Sequence, residues 1–187
     1  MFTRWIPPPD GETIFVGSDD GRLYALDAET GDERWNCWAR APVSSTPVLD
    51  QDSVYFGSFD ANLYALDSAT GELKWQFTTA DSIFSSPAVL GTTVYVGSHD
   101  GNLYAVDSRT GRELWWFGTG DEIKSSPAIA GETVIVGSFD GGVYGLDVNT
   151  GLELWQFQTR NDVFSSPVIS DGVVYIGSDD GHVYALE

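Results

Sequence analysis

Residues with the chemistry for catalysis are few in this chain, and they lie far apart in its sequence. The 187 residues include one cysteine, Cys37, and two histidines, His99 and His182. A nucleophilic cysteine needs a neighbouring base, so Cys37 is interpreted instead as a small buried hydrophobe beside Trp35 and Trp38. The sequence contains no Ser/His/Asp spacing, zinc-ligand cluster or phosphate-binding loop. These residues predict neither a catalytic centre nor a metal site.

Aspartates recur at a regular spacing and raise the question of a metal ion. Each of them stands three residues before a Thr-Gly dipeptide, where a carboxylate accepts N–H groups of a turn. They are Asp27, Asp67, Asp107 and Asp147. A calcium ion takes about six to eight oxygen ligands, which one carboxylate per repeat does not supply. We therefore expect these aspartates to shape turns.

The aspartates belong to a repeat of 40 residues that contains no insertion or deletion. A Gly-Ser dipeptide begins at residues 17, 57, 97, 137 and 177, and a tryptophan recurs at 35, 75, 115 and 155. A repeat of this kind is one supersecondary unit, which buries its apolar faces by stacking on its neighbours. The period therefore indicates a repeat architecture.

Each repeat is predicted to hold four strands and no helix. In the third copy the strands, named a to d, are expected at residues 85–90, 93–97, 103–106 and 113–117, with an Asp-Gly turn between b and c. Strand c is apolar on both faces, so the sheets must be covered on both sides. This pattern predicts an all-β fold, a β-propeller of four-stranded antiparallel blades in a single domain over residues 1–187. The repeats are 1–40, 41–80, 81–120, 121–160 and a partial 161–187, which gives about five blades.

Both terminal blades are expected to be defective. Residues 5–9 occupy the register of strand a, but Pro7, Pro8 and Pro9 cannot donate ladder hydrogen bonds. The last repeat stops at Glu187, before its strand d. Three arrangements remain open: a five-bladed ring with a ragged seam, part of a larger propeller, or self-association of two chains through open blade edges.

The junction of strands c and d carries a family resemblance. Residues 25–35 read Ala-Leu-Asp-Ala-Glu-Thr-Gly-Asp-Glu-Arg-Trp, and three further copies follow. This segment resembles the tryptophan-docking motif of the pyrroloquinoline-quinone-type propeller repeats. The resemblance implies that each tryptophan wedges between two blades, against a Thr-Gly peptide. The implied docking residues are Trp35, Trp75, Trp115 and Trp155 with Gly31, Gly71, Gly111 and Gly151.

The same resemblance implies two possible functions. One branch of the family contains quinoprotein dehydrogenases, which hold pyrroloquinoline quinone with a vicinal cysteine pair and a calcium ion. Cys37 stands alone, so we expect no quinone cofactor and no enzyme activity. The other branch contains a non-enzymatic lipoprotein that assists the assembly of outer-membrane barrels, and this chain resembles it more closely. A fragment or relative of a quinone-binding dehydrogenase is the alternative.

The charge of the chain limits its partners. Asp and Glu number 28 against nine Lys and Arg, for a net charge of −19. Such a field repels nucleic acids and anionic membranes, and the apolar runs are too short to insert into a bilayer. An acidic, lysine-poor surface is typical of proteins adapted to high salt. As written, the chain has no secretory signal and is expected in the cytoplasm; upstream residues would make an extracytoplasmic location possible.

Positions that vary between repeats point to one candidate interaction face. The residue after Gly-Ser and one residue of the loop from strand d to the next strand a are expected on the same side of the propeller. These positions hold Phe59, His99 and Phe139, and Phe84, Lys124 and Phe164. We predict that they bind a protein or peptide, with a ring of aspartates around them. The alternatives are that Phe84 and Phe164 fill gaps between blades and that Phe59 and Phe139 are merely exposed.

Overall fold

The computed structural model describes residues 2–6, as backbone, and residues 12–187. All regular structure in this part of the chain is β-strand. These residues therefore include no helix that could cross a membrane. The strands are β1 (Phe2–Ile6), β2 (Thr13–Ser18), β3 (Arg22–Asp27), β4 (Glu33–Trp38), β5 (Val48–Asp50), β6 (Ser53–Gly57), β7 (Asn62–Asp67), β8 (Leu73–Thr78), β9 (Ala88–Leu90), β10 (Thr93–Gly97), β11 (Asn102–Asp107), β12 (Glu113–Gly118), β13 (Ala128–Ala130), β14 (Thr133–Gly137), β15 (Gly142–Asp147), β16 (Glu153–Gln158), β17 (Val168–Ser170), β18 (Val173–Ser178) and β19 (His182–Leu186).

The strands form five antiparallel sheets in chain order. Blade 1 is β1–β4, blade 2 is β5–β8, blade 3 is β9–β12, blade 4 is β13–β16, and blade 5 holds β17–β19. The short first strands of blades 2 to 5 contact one another, so the sheets radiate from a common inner side. The fold is a β-propeller of about five blades, as the repeat predicts.

The strand boundaries follow the sequence pattern except at the inner strand. In blade 3, β10 coincides with the expected strand b, β11 is longer than strand c by one residue at each end, and β12 is longer than strand d by one residue at its C-terminal end. The inner strand is only Ala88–Leu90, whereas residues 85–90 were expected. The hydroxyl of Ser85 accepts from the Gly97 N–H (3.2 Å), and the Ser86 N–H donates to Ser126 Oγ in the next blade (3.0 Å). These serines bond away from the strand ladder, so the strand begins after them.

Blade 1 has four strands, which corrects the expectation of a defective first blade. Its inner strand β1 pairs antiparallel with β2, with Ile6 opposite Phe15 and Trp5 opposite Val16. The strand ends at Ile6, before the prolines that would interrupt its hydrogen bonds. The three prolines themselves lie outside the described residues.

The hydrophobic core is divided into layers between neighbouring blades. Between blades 2 and 3, Tyr55, Leu63 and Trp75 of one sheet pack on Val94 and Val96 of the next, and all five are buried. Blades 2, 3 and 4 each bury one face on the blade before them and the other on the blade after them. This arrangement explains why both faces of the third strand in these blades are apolar.

In blades 1 to 4 the glycine of the Gly-Ser dipeptide makes room for a side chain of the loop that leads to the next blade. A Cβ at Gly57 would overlap Ile83 Cγ2, and a Cβ at Gly97 would overlap Ile123 Cγ2. Ile83 and Ile123 are fully buried. The 40-residue recurrence of this dipeptide therefore reflects close packing between a blade and the loop that leaves it.

Candidate functional site

The two ends of the propeller carry different sets of loops. On one side the turn between the first two strands of a blade meets the turn between its last two, and the Ser108 N–H donates to Thr92 O (2.9 Å). On the other side the turn between the middle strands meets the loop that enters the blade, and the His99 N–H donates to Ser82 O (2.9 Å). We call the first side the docking face and the second the variable face.

The regularly spaced aspartates accept hydrogen bonds within the turns of the docking face. Asp107 Oδ1 accepts from the Thr110 hydroxyl (2.7 Å), the Thr110 N–H (2.8 Å) and the Arg109 N–H (3.1 Å). These bonds, led by the hydroxyl, lower the pKa of Asp107. Asp27, Asp67 and Asp147 make the same bonds in their turns. Their oxygens stabilise turns.

Three tryptophans each lie against the turn of the next blade. The Trp75 indole covers Gly111, whose φ is 69°, and its Nε1–H donates to Ser108 O (2.9 Å). A Cβ at position 111 would come within 2.8 Å of the indole, so a side chain larger than glycine does not fit. The equivalent contacts are Trp35 on Gly71 with a bond to Ser68 O (3.2 Å) and Trp115 on Gly151 with a bond to Val148 O (3.1 Å).

Two of the expected docking residues have no such partner in the described parts of the chain. Gly31 has no atom within 4 Å of the place where its Cβ would be. Trp155 makes no hydrogen bond to a neighbouring turn, and it lines a cavity of about 570 Å³ together with Phe157, Val174 and Leu186. The structure thus pairs six of the eight docking residues.

The variable face brings together all six residues of the candidate interaction face. The ring centroids of Phe59 and Phe84 lie 6.1 Å apart, those of Phe84 and Phe164 5.6 Å, and those of Phe164 and Phe139 6.0 Å. These phenyl rings form a continuous row across loops of blades 2 to 5. His99 contacts the row at Phe59 (6.0 Å) and Phe84 (6.4 Å). We call Phe59, Phe84, His99, Lys124, Phe139 and Phe164 the aromatic patch.

The lysine of the patch is already paired with a carboxylate of its own loop. Lys124 Nζ lies 4.2 Å from the centroid of the Phe139 ring and 2.7 Å from Glu122 Oε2. Both contacts hold the ammonium group over the phenyl row. Lys124 therefore adds little net positive charge to this surface.

His99 is the polar residue with the least favourable environment in the patch. Its Nε2 is buried without a hydrogen-bond partner among the described residues, and its Nδ1 lies 4.0 Å from Glu122 Oε2. Burial is the main cause that lowers the pKa of His99, and Glu122 opposes it. The imidazole is thus favoured in its neutral form.

The aspartates expected to surround the patch have a structural role that the sequence analysis missed. Asp100 Oδ2 accepts from the Tyr104 hydroxyl (2.9 Å) and from the Ala80 N–H of the loop leaving blade 2 (2.9 Å). Burial, followed by the bond to Asp100, raises the pKa of Tyr104 to about 12. The pairs Asp60–Tyr64, Asp140–Tyr144 and Asp180–Tyr184 repeat the hydroxyl contact. A recurring tyrosine four residues after the aspartate was the available signal.

The gaps between blades are filled by the residue before each loop phenylalanine. Ile83 and Val163 are fully buried, while Phe164 is 44% exposed and Phe84 is half-buried. The phenyl rings lie on one another above these plugs. Packing of the blades therefore accounts for Ile83 and Val163 rather than for the two phenylalanines.

The remaining reactive groups form no cluster. Among residues 12–187 no three His, Cys, Asp or Glu side chains are placed to hold one metal ion. Cys37 is half-buried against the core layer between blades 1 and 2, and burial raises the pKa of its thiol. A thiol with a raised pKa is a weaker nucleophile at neutral pH.

The comparison with protein families identifies these blades. A sequence profile described as outer membrane protein assembly factor BamB matches residues 2–116 and residues 100–187. The two matches together extend from residue 2 to the last residue. The chain belongs to the BamB family.

Solved structures resemble the chain over nearly all of its length. The crystal structure of BamB from Moraxella catarrhalis matches with a TM-score of 0.87 and 25% identity, over 99% of this chain and 58% of that one. The computationally designed protein Ika8 shares the fold, with a TM-score of 0.84 and 22% identity over 94% of this chain and 55% of that one. The chain thus spans less than two thirds of either structure. No curated protein matches it in sequence.

Proposed function

We propose that this protein is a non-catalytic scaffold that binds a protein or peptide partner through the aromatic patch. The observation that carries the proposal is the convergence of four phenylalanines from four different loops on the variable face. Isolated exposed apolar residues are common, but a contiguous group on a rigid framework is typical of an interaction surface. Membership of a family named for assembly factors also supports binding rather than catalysis.

A capture experiment with matched variants tests the proposal. In the double variant Phe59→Ser/Phe139→Ser two rings of the patch are removed, and we expect partner capture to be lost while the melting temperature changes by no more than about 2 °C. Leu152→Ser is the control, because Leu152 is 68% exposed in a turn of the docking face. Capture that survives the double variant, or that is lost equally in the control, contradicts the proposal.

We further propose that the fold is adapted to high salt. The net charge of −19 produces repulsion among surface carboxylates, and the Debye length falls to about 3 Å in molar salt, where this repulsion is screened. The urea midpoint is expected to rise when KCl increases from about 0.1 M to about 2 M. A midpoint that stays constant or falls argues against salt adaptation.

Self-association through the edge of blade 5 is a separate proposal. Strand β19 pairs on one side with β18, and its other side has no partner strand among the described residues. Val183 on this strand is 77% exposed. An unpaired apolar edge favours addition of a strand from a second chain. Light scattering is expected to give a dimer mass that Val183→Lys reduces to the monomer mass; a monomer in both samples rules the proposal out.

A further inference from the structure

The charges around the aromatic patch indicate which kind of partner it takes. Two loops that contribute residues to the patch, residues 79–87 and 119–127, each carry an exposed aspartate three residues before a patch residue: Asp81 before Phe84 and Asp121 before Lys124. Each aspartate uses one oxygen in its own loop, where Asp81 Oδ1 accepts from the Ser82 N–H (2.6 Å) and Asp121 Oδ1 from the Glu122 N–H (2.8 Å). Neither makes an ion pair with any described residue.

The cations of the variable face are not placed to neutralise these two loops. Lys124 is held by Glu122 and the Phe139 ring. The exposed arginines, Arg40 and Arg160, occur in the loops that enter blades 2 and 5, and the same position holds Ala80 and Gly120 in the two loops between them. The two loops that carry Phe84 and Lys124 therefore combine residues of the aromatic patch with aspartates that have no ion-pair partner among the described residues.

We propose that the partner presents to the aromatic patch a segment in which apolar side chains alternate with lysine or arginine. The apolar side chains pack on the phenyl row, and the cations pair with Asp81 and Asp121. The inference rests on the proposed binding function and adds the chemistry of the partner to it. Apolar contacts supply most of the affinity of such a site, while complementary charges select the partner and speed its approach.

The preference for a basic segment also follows from the unfavourable contacts that an acidic or an uncharged segment would make. An acidic segment would bring like charges against Asp81 and Asp121 in addition to the net charge of the whole protein. A segment with no charge would cover the phenyl row but leave both carboxylates unpaired at the contact. Only a basic segment gains from both features of the surface.

Three labelled peptides and four forms of the protein test the inference by fluorescence anisotropy. The peptides are Lys-Phe-Lys-Phe-Lys, Glu-Phe-Glu-Phe-Glu and Lys-Ser-Lys-Ser-Lys, each with an amidated end. The protein forms are the unsubstituted chain, Asp81→Asn/Asp121→Asn, Glu29→Gln/Asp32→Asn and Phe59→Ser/Phe139→Ser. Asparagine keeps the oxygen that accepts the loop N–H, so the first double variant removes charge without removing that bond. Glu29 and Asp32 are exposed on the docking face, and their double variant changes the net charge by the same amount.

We expect only the basic phenylalanine peptide to bind well. Its affinity is expected to fall about threefold to tenfold in Asp81→Asn/Asp121→Asn, to stay unchanged in Glu29→Gln/Asp32→Asn, and to fall at least about tenfold in Phe59→Ser/Phe139→Ser. Raising KCl from about 0.1 M to about 1 M is expected to weaken binding to the unsubstituted protein more than to Asp81→Asn/Asp121→Asn.

Each contrary result overturns the inference and separates it from the proposed function. If the acidic phenylalanine peptide binds as tightly and its binding needs Phe59 and Phe139, the partner chemistry is wrong but the patch still binds. If the two charge variants weaken binding equally, the general field of the protein is responsible and not the two aspartates. Absence of binding by every peptide also overturns the inference. If partner capture is in addition insensitive to Phe59→Ser/Phe139→Ser, the proposed function fails as well.

Discussion

The docking face and the variable face are built from the same number of loops per blade, yet they use their side chains in opposite ways. On the docking face, the Asp-x-x-Thr-Gly turn makes the same bonds in blades 1 to 4, and three tryptophans repeat one contact with the neighbouring turn. On the variable face, equivalent positions hold Phe, His, Lys, Ser or Asp. The uniform side chains of the docking face hold the blades together, whereas the varied side chains of the variable face form a surface.

The difference teaches that a repeat separates its tasks by position. The backbone of the variable face is as regular as that of the docking face, since the His99 N–H and the Phe139 N–H make equivalent bonds to the loops that enter their blades. Only the side chains directed outward from this framework differ. Substitutions should therefore affect stability on the docking face and binding on the variable face.

The largest expected effect is the loss of a docking tryptophan. Trp75→Ala removes a side chain that is 8% exposed and bonded to the next blade, so the free energy of unfolding should fall by about 3–5 kcal/mol. Urea unfolding measures the change. The matched control is Trp116→Ala, because Trp116 is 59% exposed on the outer strand of blade 3. A loss below about 1 kcal/mol for Trp75→Ala would mean that the indole does not lock the blades.

The next largest loss of stability is expected at the glycine of the Gly-Ser dipeptide, on which a buried isoleucine or valine of the loop packs. Gly57→Ala places a methyl group on the Ile83 side chain and should cost about 1–3 kcal/mol by overpacking. Gly177→Ala is the control, since at the same repeat position the nearest atom, Ser165 Oγ, is at an ordinary distance of 3.4 Å. Equal unfolding free energies for the two variants would contradict the packing role of the Gly-Ser dipeptide.

An intermediate effect should appear at alkaline pH. The pKa of Tyr104 is raised from 10.0 to about 12, so the unfolded chain loses this proton first. The stability that Tyr104 contributes is complete below pH 10 and is lost as the pH rises from 10 to about 12. The difference in unfolding free energy between the unsubstituted protein and Tyr104→Phe should be about 1–2 kcal/mol near neutral pH and should shrink across that window. A difference that stays constant would show that burial and the bond to Asp100 do not raise the pKa of Tyr104.

The smallest effect lies on the variable face and has the opposite sign. His99→Phe introduces the residue found at the equivalent positions 59 and 139 and removes the buried Nε2 without a partner. The free energy of unfolding should rise by about 1 kcal/mol, because an unsatisfied buried polar atom is destabilising. Thermal unfolding checks this change. A destabilised variant would mean that His99 is bonded in a way that its surroundings do not indicate.

The sequence predicts the fold well because the repeat specifies every strand four times over. The Gly-Ser, Asp-x-x-Thr-Gly and Trp positions place the turns, and β10 coincides with its predicted range. The inner strand is misjudged at Ser85 and Ser86, whose hydroxyls bond to a glycine N–H and to a neighbouring blade. Local pattern contains no information about such contacts. The same limitation applies to β1, whose low resemblance to the other inner strands hides its pairing with β2.

The sequence predicts which residues belong to the candidate site but not the distances between them. Variation between repeats selects the six residues, and hairpin geometry places them on one face. Distances between repeats depend on the curvature of the ring, so the contact of Phe84 with Phe164, two blades away, cannot be read from one repeat. The bond from the Ala80 N–H to Asp100 is likewise a tertiary feature, whereas Tyr104, four residues after Asp100, recurs in the sequence. Whether the face binds a partner stays a prediction.

Site-specific photo-crosslinking tests most directly whether binding belongs to the variable face and not to the docking face. A photoreactive phenylalanine analogue is introduced at Phe139 in one sample and at Leu152 in another, positions that lie on opposite faces of blade 4 and its turns. We expect irradiation with the partner present to give a crosslinked product from position 139 and none from position 152. Crosslinking from position 152 alone, or equally from both positions, would contradict the claim that the variable face binds the partner and the docking face does not.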